Sequence, residues 1–208
     1  MARLTWDAVR YYESGVDRGV LYAPSQPGVP WVGLVSVNEA PVGGEARAAY
    51  IDGIKYLNIA SAEEYKATLT AISAPPEFGP CDGNVSIQNG LIATAQPRKP
   101  FGLCYRTLIG NSDSAEIAYK LHLVYNALAA PATRNNNTLS DQADSNNYSW
   151  DISTLAPTLT NLKPTAHLIV DSRYADSGVL SDLEDLLYGT VSTDPSLPVP
   201  DDVVALFA

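Results

Sequence analysis

The sequence predicts a mainly β protein, built as a sandwich or a barrel-like sheet, with one flanking α-helix. Residues that favour turns (glycine, proline, serine, asparagine and threonine) recur about every ten positions, and runs rich in β-branched and aromatic residues lie between them. Several of these runs alternate apolar and polar side chains, as a half-buried strand does. One segment near the C-terminus instead has the apolar spacing of an amphipathic helix.

The first strands are predicted between residues 29 and 72. The series begins with residues 29–39 and continues with residues 49–60, where Gly53 suggests a bulge or a close approach of backbones. Residues 64–72 alternate most clearly, and their threonines favour a strand over a helix. The apolar face of that run consists of Tyr65, Ala67, Leu69 and Ala71.

A central pair of strands is predicted from the stretch "RKPFGLCYRTLIGN" (residues 98–111) and from residues 117–128, joined by a polar turn. Cys104 and His122 then fall on adjacent strands, but both lie in mid-strand, whereas catalytic residues favour loops. We therefore predict that Cys104 is a small packed residue. Arg106 is predicted to lie on the polar face or in an interface. Two further strands are predicted at residues 148–155 and 165–171.

The helix is predicted near residues 178–188. Asp176 or Ser177 can cap its first turn, and Gly189 ends it. Its apolar stripe, which should lie on a sheet face, consists of Val179, Leu180, Leu183, Leu186 and Leu187. Beyond the helix, prolines break the chain, and we predict an extended C-terminal tail that is either frayed or docked on a partner. Two long loops are predicted at residues 74–100 and 132–146.

Composition limits the class of protein. A chain of 208 residues, 46% of them hydrophobic, is the size of one globular domain. No run of about 18 apolar residues suggests a membrane span, and the acidic, tyrosine-rich start does not resemble a signal peptide, so we expect synthesis in the cytoplasm. The net charge of −10 predicts repulsion of nucleic acid.

The residue pattern predicts neither an enzyme nor a cofactor or metal site. Cys81 and Cys104 do not form a disulfide scaffold, and His122 and His167 do not pair with them at the spacing of zinc ligands. The glycine pair at residues 43–44 is not followed by the lysine of a phosphate loop. Three carboxylate pairs are interpreted as solvated charges: Glu63–Glu64, Glu184–Asp185 and Asp201–Asp202.

Eight segments in order resemble a known family. They are "TWDAVRYYESGVDRGVLY" (5–22), "GVPWVGLVSVNE" (28–39), "IKYLNIASAEEYKATLTAI" (54–72), "CDG" (81–83), "QPRKPFGLCYRTLIGN" (96–111), "YKLHLVYNALAAP" (119–131), "KPTAHLIVDS" (163–172) and "LEDLLYGT" (183–190). Together they resemble the major tail protein, or tail tube protein, of long-tailed (siphovirus-type) bacteriophages that infect Gram-positive, especially actinobacterial, hosts. The resemblance covers nearly the whole chain.

The resemblance implies a single tail-tube domain over residues 1–208, with an N-terminal arm at about 1–28 and an extended C-terminal arm at about 190–208. It implies a structural virion protein that assembles with itself into stacked hexameric rings, the conduit for DNA ejection. The expected partners are further copies of the chain, the tape measure protein, the tail terminator and baseplate proteins. DNA would pass through the lumen without specific binding, and no membrane is involved.

The resemblance also implies two sets of site residues. Residues 29–39 and 50–59 would bracket a loop whose tip, residues 42–48, reaches the next ring. The inter-ring contacts would come from Val42, Gly43, Gly44, Glu45 and Arg47. The candidates for the wall of the lumen, which is expected to be acidic or neutral, are Glu39, Asp52, Glu63 and Glu64.

Other classes of protein stay open from the sequence. The chain could be another tail component on the same β-fold, such as a terminator, or a monomeric β-sandwich binding module. A tube protein should polymerise, whereas a binding module should stay monomeric and present a concave aromatic patch. An enzyme should have a pocket with perturbed titratable groups.

Overall fold

The structure is a computed structural model that describes residues 9–44, 46–60, 62–134 and 147–208, with the backbone alone at 46–47 and 58–60. The elements in chain order are β1 Tyr12–Tyr22, β2 Val29–Pro30, β3 Leu34–Glu39, β4 Val42–Gly43, β5 Ala46–Ile51, β6 Ile54–Ala60, β7 Glu63–Glu64, β8 Lys66–Ala71, β9 Val85–Gln88, β10 Leu91–Ala93, β11 Phe101–Gly110, β12 Ala118–Ala129, β13 Tyr148–Thr154, β14 His167–Asp171, α1 Ser177–Tyr188 and α2 Pro200–Leu206. The prediction of a mainly β fold is confirmed. Of the helices in these ranges, none is long and apolar enough to cross a membrane.

The largest sheet has eight strands and curls round on itself. Its order is β2-β1-β11-β12-β13-β8-β3, with β14 also paired to β12, and every pairing is antiparallel. Its two end strands, β2 and β3, are separated by only three residues, which span at most about 14 Å. Across this junction the Trp31 N–H donates to the Gly19 carbonyl at 2.8 Å. The ends of the sheet therefore lie side by side, as in a barrel.

The inner face of the curled sheet holds the larger core. Trp150 and Phe78 are among its largest fully buried side chains, with ring centroids 5.1 Å apart, and Trp31 lies 4.8 Å from Phe78. Two residues of the segment 74–100, which is predicted as a loop, therefore enter this core, namely Phe78 and Cys81. A short 3₁₀ helix, Pro76–Phe78, places Phe78 there. The buried Asp82 carboxylate then accepts hydrogen bonds from Trp150 and Arg98, at 3.0 and 3.1 Å.

The outer face carries the two helices. The α1 prediction is confirmed: the Asp176 side chain accepts from the backbone N–H groups of Gly178 and Val179, and the helix ends at Gly189, with φ 77°. Three leucines of the predicted stripe are buried against the outer face of the sheet, namely Leu180, Leu183 and Leu187. The other two members of the stripe are half-buried.

The C-terminal tail differs from the prediction of an extended segment. It packs on its own chain, because the Gly28 N–H donates to the Pro195 carbonyl and the Ser196 N–H to the Leu186 carbonyl, each at 2.8 Å. It then forms α2, whose Val203 is buried. The signal was local: Pro200 opens the helix and two aspartates follow in its first turn, which suits a helix N-terminus.

The predicted N-terminal arm also has a different form. The stretch expected as an N-terminal arm contains β1, which pairs with β11 over most of its length. The loop predicted at residues 132–146 lies outside the described residues, apart from 132–134.

Candidate assembly surfaces and a buried polar cluster

A two-part arm projects from the end of β3. We define the arm as residues 42–64. At its base β4 pairs with β7, and beyond the base β5 pairs with β6 as a separate two-stranded sheet. The turn between β5 and β6 is Asp52–Gly53, and both residues have positive φ, 52° and 78°. An Asp-Gly pair suits such a turn because glycine and aspartate tolerate the left-handed backbone that a two-residue hairpin requires.

The strand pairing corrects the predicted position of the tip. Residues 49–60 are not one strand with a bulge at Gly53; they cross the hairpin turn, so the tip is Asp52–Gly53 and not residues 42–48. Val42 and Gly43 lie at the base, where Val42 is opposite Glu64 and Gly43 is opposite Glu63. Gly44 follows the base, Glu45 lies outside the described residues, and only the backbone of Arg47 is described. In the sequence, the Asp52–Gly53 pair is the feature that indicates this hairpin turn.

The distal half of the arm exposes large apolar side chains. Tyr50, Ile51, Ile54, Tyr56 and Leu57 are 48–72% exposed. Among the described side chains, none from the arm belongs to either buried core. An isolated two-stranded hairpin is marginally stable in water, and contiguous exposed apolar residues mark interaction surfaces. The arm therefore has the properties of a segment that another molecule covers.

A second hairpin has the same character. β9 and β10 pair as another separate two-stranded sheet, with Gly90 at positive φ in the turn. Its exposed apolar side chains are Val85, Ile87, Leu91 and Ile92. The protein thus presents two apolar hairpins outside the curled sheet.

The four predicted lumen acids do not form one group. Asp52 lies at the tip of the arm and Glu63 and Glu64 lie at its base, and all three are exposed. Glu64 forms an ion pair of 3.6 Å with Lys66. Glu39, at the end of β3, instead faces a polar cluster inside the chain, where its carboxylate accepts a hydrogen bond of 2.5 Å from the Tyr105 hydroxyl.

The polar cluster joins three strands that are distant in sequence. His122 on β12 and His167 on β14 approach so that Nδ1 of His122 lies 3.1 Å from Nε2 of His167. The same Nδ1 lies 3.3 Å from Oε1 of Glu39. His122 is buried and stacks on the Tyr105 ring, with centroids 4.6 Å apart, and His167 lies 4.5 Å from the Tyr65 ring. Sequence spacing could not reveal this group, because strand register alone brings its members together.

Protonation in the cluster follows from its contacts. The hydrogen bond to His122 lowers the pKa of Glu39 to about 2, and the bond from Tyr105 acts in the same direction. Burial lowers the pKa of His167 to about 4. At neutral pH the cluster therefore holds an ionised carboxylate beside a neutral imidazole.

Cys104 and Arg106 face the opposite side of the sheet from His122. Burial raises the pKa of the Cys104 thiol to about 12, so it stays protonated and packed. Arg106 is buried as well and forms two hydrogen bonds to the Asp17 carboxylate, at 2.8 and 2.6 Å. The guanidinium also lies over the Tyr119 ring, 4.6 Å from its centroid. Arg106 is therefore buried in an ion pair within the chain and does not lie on an exposed polar face, while a role in an interface stays a prediction.

No protein-family model matches this chain, and no curated protein sequence matches it. Three solved structures are similar at low identity. A chain of the anti-feeding prophage baseplate is 10% identical, with a TM-score of 0.41, over 82% of this chain and 97% of that chain. A chain of the sheath-tube complex of an extracellular contractile injection system, PVC, in the extended state is 14% identical, with a TM-score of 0.37, over 74% and 88%. A chain of the anti-feeding prophage tube-terminating cap is 11% identical, with a TM-score of 0.35, over 74% and 88%. All three TM-scores are below 0.5, so these similarities support no conclusion about the function of this chain.

Proposed function

We propose that this protein is a structural subunit that assembles with itself, namely the tail tube protein of a long-tailed phage, and that it is not an enzyme. The observation that carries the proposal is the arm, whose apolar side chains have no cover within the described chain. Eight sequence segments resemble the tail tube family, and this resemblance indicates that the molecule covering the arm is a neighbouring copy of the same chain.

Burial of the arm would supply a large part of the assembly free energy. Covering a large aliphatic or aromatic side chain contributes about 1.5–3 kcal/mol relative to full exposure. The five exposed apolar residues of the β5–β6 hairpin are already partly shielded, so each contributes less than the full amount. A β5–β6 hairpin extends about 20 Å at the rise of an antiparallel strand, long enough to reach beyond the body of its own subunit.

An open sheet edge offers a second contact. In the described strand ladders, β14 pairs with β12 alone, so its other edge carries backbone groups without a strand partner. An unpaired edge favours addition of a strand from another chain. Exposed Ile169 lies in mid-strand there. A neighbouring subunit in a ring would pair with such an edge and remove it.

The charge of the chain suits a conduit for DNA. Six copies in a ring, as the resemblance implies, would each contribute a net charge of −10 and repel the phosphate backbone. Of the predicted lumen acids, Asp52, Glu63 and Glu64 remain candidates for the wall of the channel because they are exposed. Glu39 differs from these three acids because its carboxylate accepts a hydrogen bond from Tyr105 and lies 3.3 Å from Nδ1 of His122. The tape measure, terminator and baseplate proteins remain the proposed partners, and the virion tail remains the proposed location.

Sedimentation velocity over a range of concentrations, with negative-stain microscopy of the same samples, tests the proposal. The unmodified protein should form rings or tubes as its concentration rises. The double variant Ile54→Ser/Tyr56→Ser should stay monomeric, with an unchanged circular dichroism spectrum, because it removes apolar surface that only a partner covers. Leu155→Ser is the matched control, since Leu155 is 77% exposed but lies outside both hairpins, and this variant should assemble normally.

Other outcomes separate the competing proposals. Closed rings that never elongate would favour a terminator-type tail component. A protein that remains monomeric at every concentration, alone and with tail initiators, would contradict self-assembly and favour a binding module.

A further inference from the structure

The cluster of Glu39, His122 and His167 lies at the root of the arm. Glu39 ends β3, three residues before the arm begins, and Tyr65, which contacts His167, directly follows the arm. Both connections between the arm and the body of the protein therefore pass this cluster. The ligand-type atoms of the three side chains all lie within 4.8 Å of one another.

Hydrogen bonding assigns a role to each ring nitrogen of His122. The Thr107 hydroxyl donates its proton to Glu13 at 2.6 Å. Its oxygen, 3.0 Å from Nε2 of His122, therefore accepts from an Nε2–H group. Nδ1 of His122 is then the nitrogen that faces the Glu39 carboxylate, at 3.3 Å, and Nε2 of His167, at 3.1 Å. A proton or a metal ion between these atoms joins them, because a carboxylate and unprotonated ring nitrogens repel one another as acceptors.

Two of the three ligand separations match those around a bound zinc ion, and the third is longer, because the shortest contact between His167 and Glu39, from Nδ1 to Oε2, is 3.9 Å. Zinc binds imidazole nitrogen at about 2.0–2.1 Å in a tetrahedral arrangement, which places neighbouring ligand atoms about 3.4 Å apart. The distances from Nδ1 of His122, 3.1 Å to His167 and 3.3 Å to Glu39, are close to that value. The contact between His122 and Thr107 is also the kind that orients metal-binding histidines through their second nitrogen.

We propose that Glu39, His122 and His167 bind one divalent transition-metal ion of the zinc type, which fastens β3 and β14 to β12 at the root of the arm. The ligands are Oε1 of Glu39, Nδ1 of His122 and Nε2 of His167, and water takes the fourth position. Two imidazole nitrogens favour Zn²⁺ and its neighbours over Ca²⁺ or Mg²⁺, which prefer oxygen ligands. The ion reaches the site past Glu39, whose side chain is 34% exposed.

Metal titration tests the proposal on the full chain, purified without a histidine tag and stripped with a chelator. The sequence contains two histidines, so imidazole ligation can come only from His122 and His167. Calorimetry with ZnCl₂ should give one ion per chain, and CoCl₂ should give the visible absorption of a tetrahedral site. His167→Gln and Glu39→Gln should each weaken binding at least about tenfold. Glu64→Gln is the matched control, because Glu64 is an exposed acid at the base of the arm, and it should leave binding unchanged.

A second measurement serves if a variant fails to fold. In the unmodified protein labelled with ¹⁵N-histidine, Zn²⁺ should shift Nδ1 of one ring and Nε2 of the other and leave the two remaining nitrogens nearly unchanged. No binding of zinc at micromolar concentration, or equal binding by His167→Gln, would overturn the proposal and leave the cluster as a hydrogen-bonded group only. Unchanged ring nitrogens would do the same.

Discussion

Strand β11 and the β5–β6 hairpin are both rich in apolar residues, yet they have opposite surroundings. β11 is covered on both faces: Phe101, Leu103 and Tyr105 enter the inner core, and Cys104 enters the outer one. The hairpin has no such cover within the described chain. Apolar content predicts burial, but it does not predict which molecule supplies the burial. In this protein β11 is framework, and we propose that the hairpin is an assembly surface.

The largest expected effect comes from the framework. Trp150→Ala should lower the free energy of unfolding by about 3–5 kcal/mol, because it removes a fully buried indole from the inner core. Tyr56→Ala, in the arm, should change it by less than about 0.5 kcal/mol. Chemical denaturation of dilute monomer measures both. If Tyr56→Ala lowers the free energy of unfolding as much as Trp150→Ala does, the arm packs on its own chain. The contrast between framework and arm would then be wrong.

Local signals predicted much of the framework. The Asp176 cap and the leucine spacing located α1, and the alternation of residues 64–72 located β8. Two short signals differ from the predicted structure: the Asp52–Gly53 pair forms a hairpin turn where Gly53 predicts a bulge, and Pro200 opens α2 in a tail that is predicted to be extended. Contacts set by strand register could not be predicted, and the cluster is the clearest case. Glu39, His122 and His167 are each separated by more than 40 positions, and the strands that carry them are joined by the antiparallel pairings that run from β3 through β8, β13 and β12 to β14.

An intermediate effect should come from Arg106. Arg106→Met should lower the free energy of unfolding by about 1.5–3 kcal/mol, the range for hydrogen bonds to charged groups, because Asp17 loses both of its bonds. Assembly of the folded variant should be unaffected. If the variant is as stable as the unmodified protein but does not assemble, Arg106 lies in a subunit interface. The contrast between β11 and the hairpin would then be wrong.

A smaller effect is expected at Cys104. Cys104→Ser should cost about 1 kcal/mol, because a hydroxyl replaces a packed thiol. Neither thiol should react with a disulfide reagent at pH 8 in the native protein, since burial raises the pKa of Cys104 to about 12 and that of Cys81 to about 11. Both should react after denaturation. Rapid native reaction would show that the strand opens.

The smallest effect on stability should come from charge reversal on the arm. Asp52→Lys/Glu64→Lys should leave the fold and the tubes intact, because both side chains are exposed. If these acids line the channel, the new lysines attract DNA and slow genome ejection, more at low salt where screening is weak. Ejection kinetics of reconstituted particles at two salt concentrations measure this. Identical kinetics at both would place the arm away from the channel.

Hydrogen–deuterium exchange at low and high protein concentration tests the central claim most directly. In dilute monomer the amides of β5 and β6 should exchange rapidly, because only the hairpin itself protects them, while β11 should be strongly protected. At concentrations where rings or tubes form, protection of β5 and β6 should rise sharply, and that of β11 should stay the same. Equal protection of the hairpin at both concentrations, in samples where microscopy shows assembly, would contradict the account.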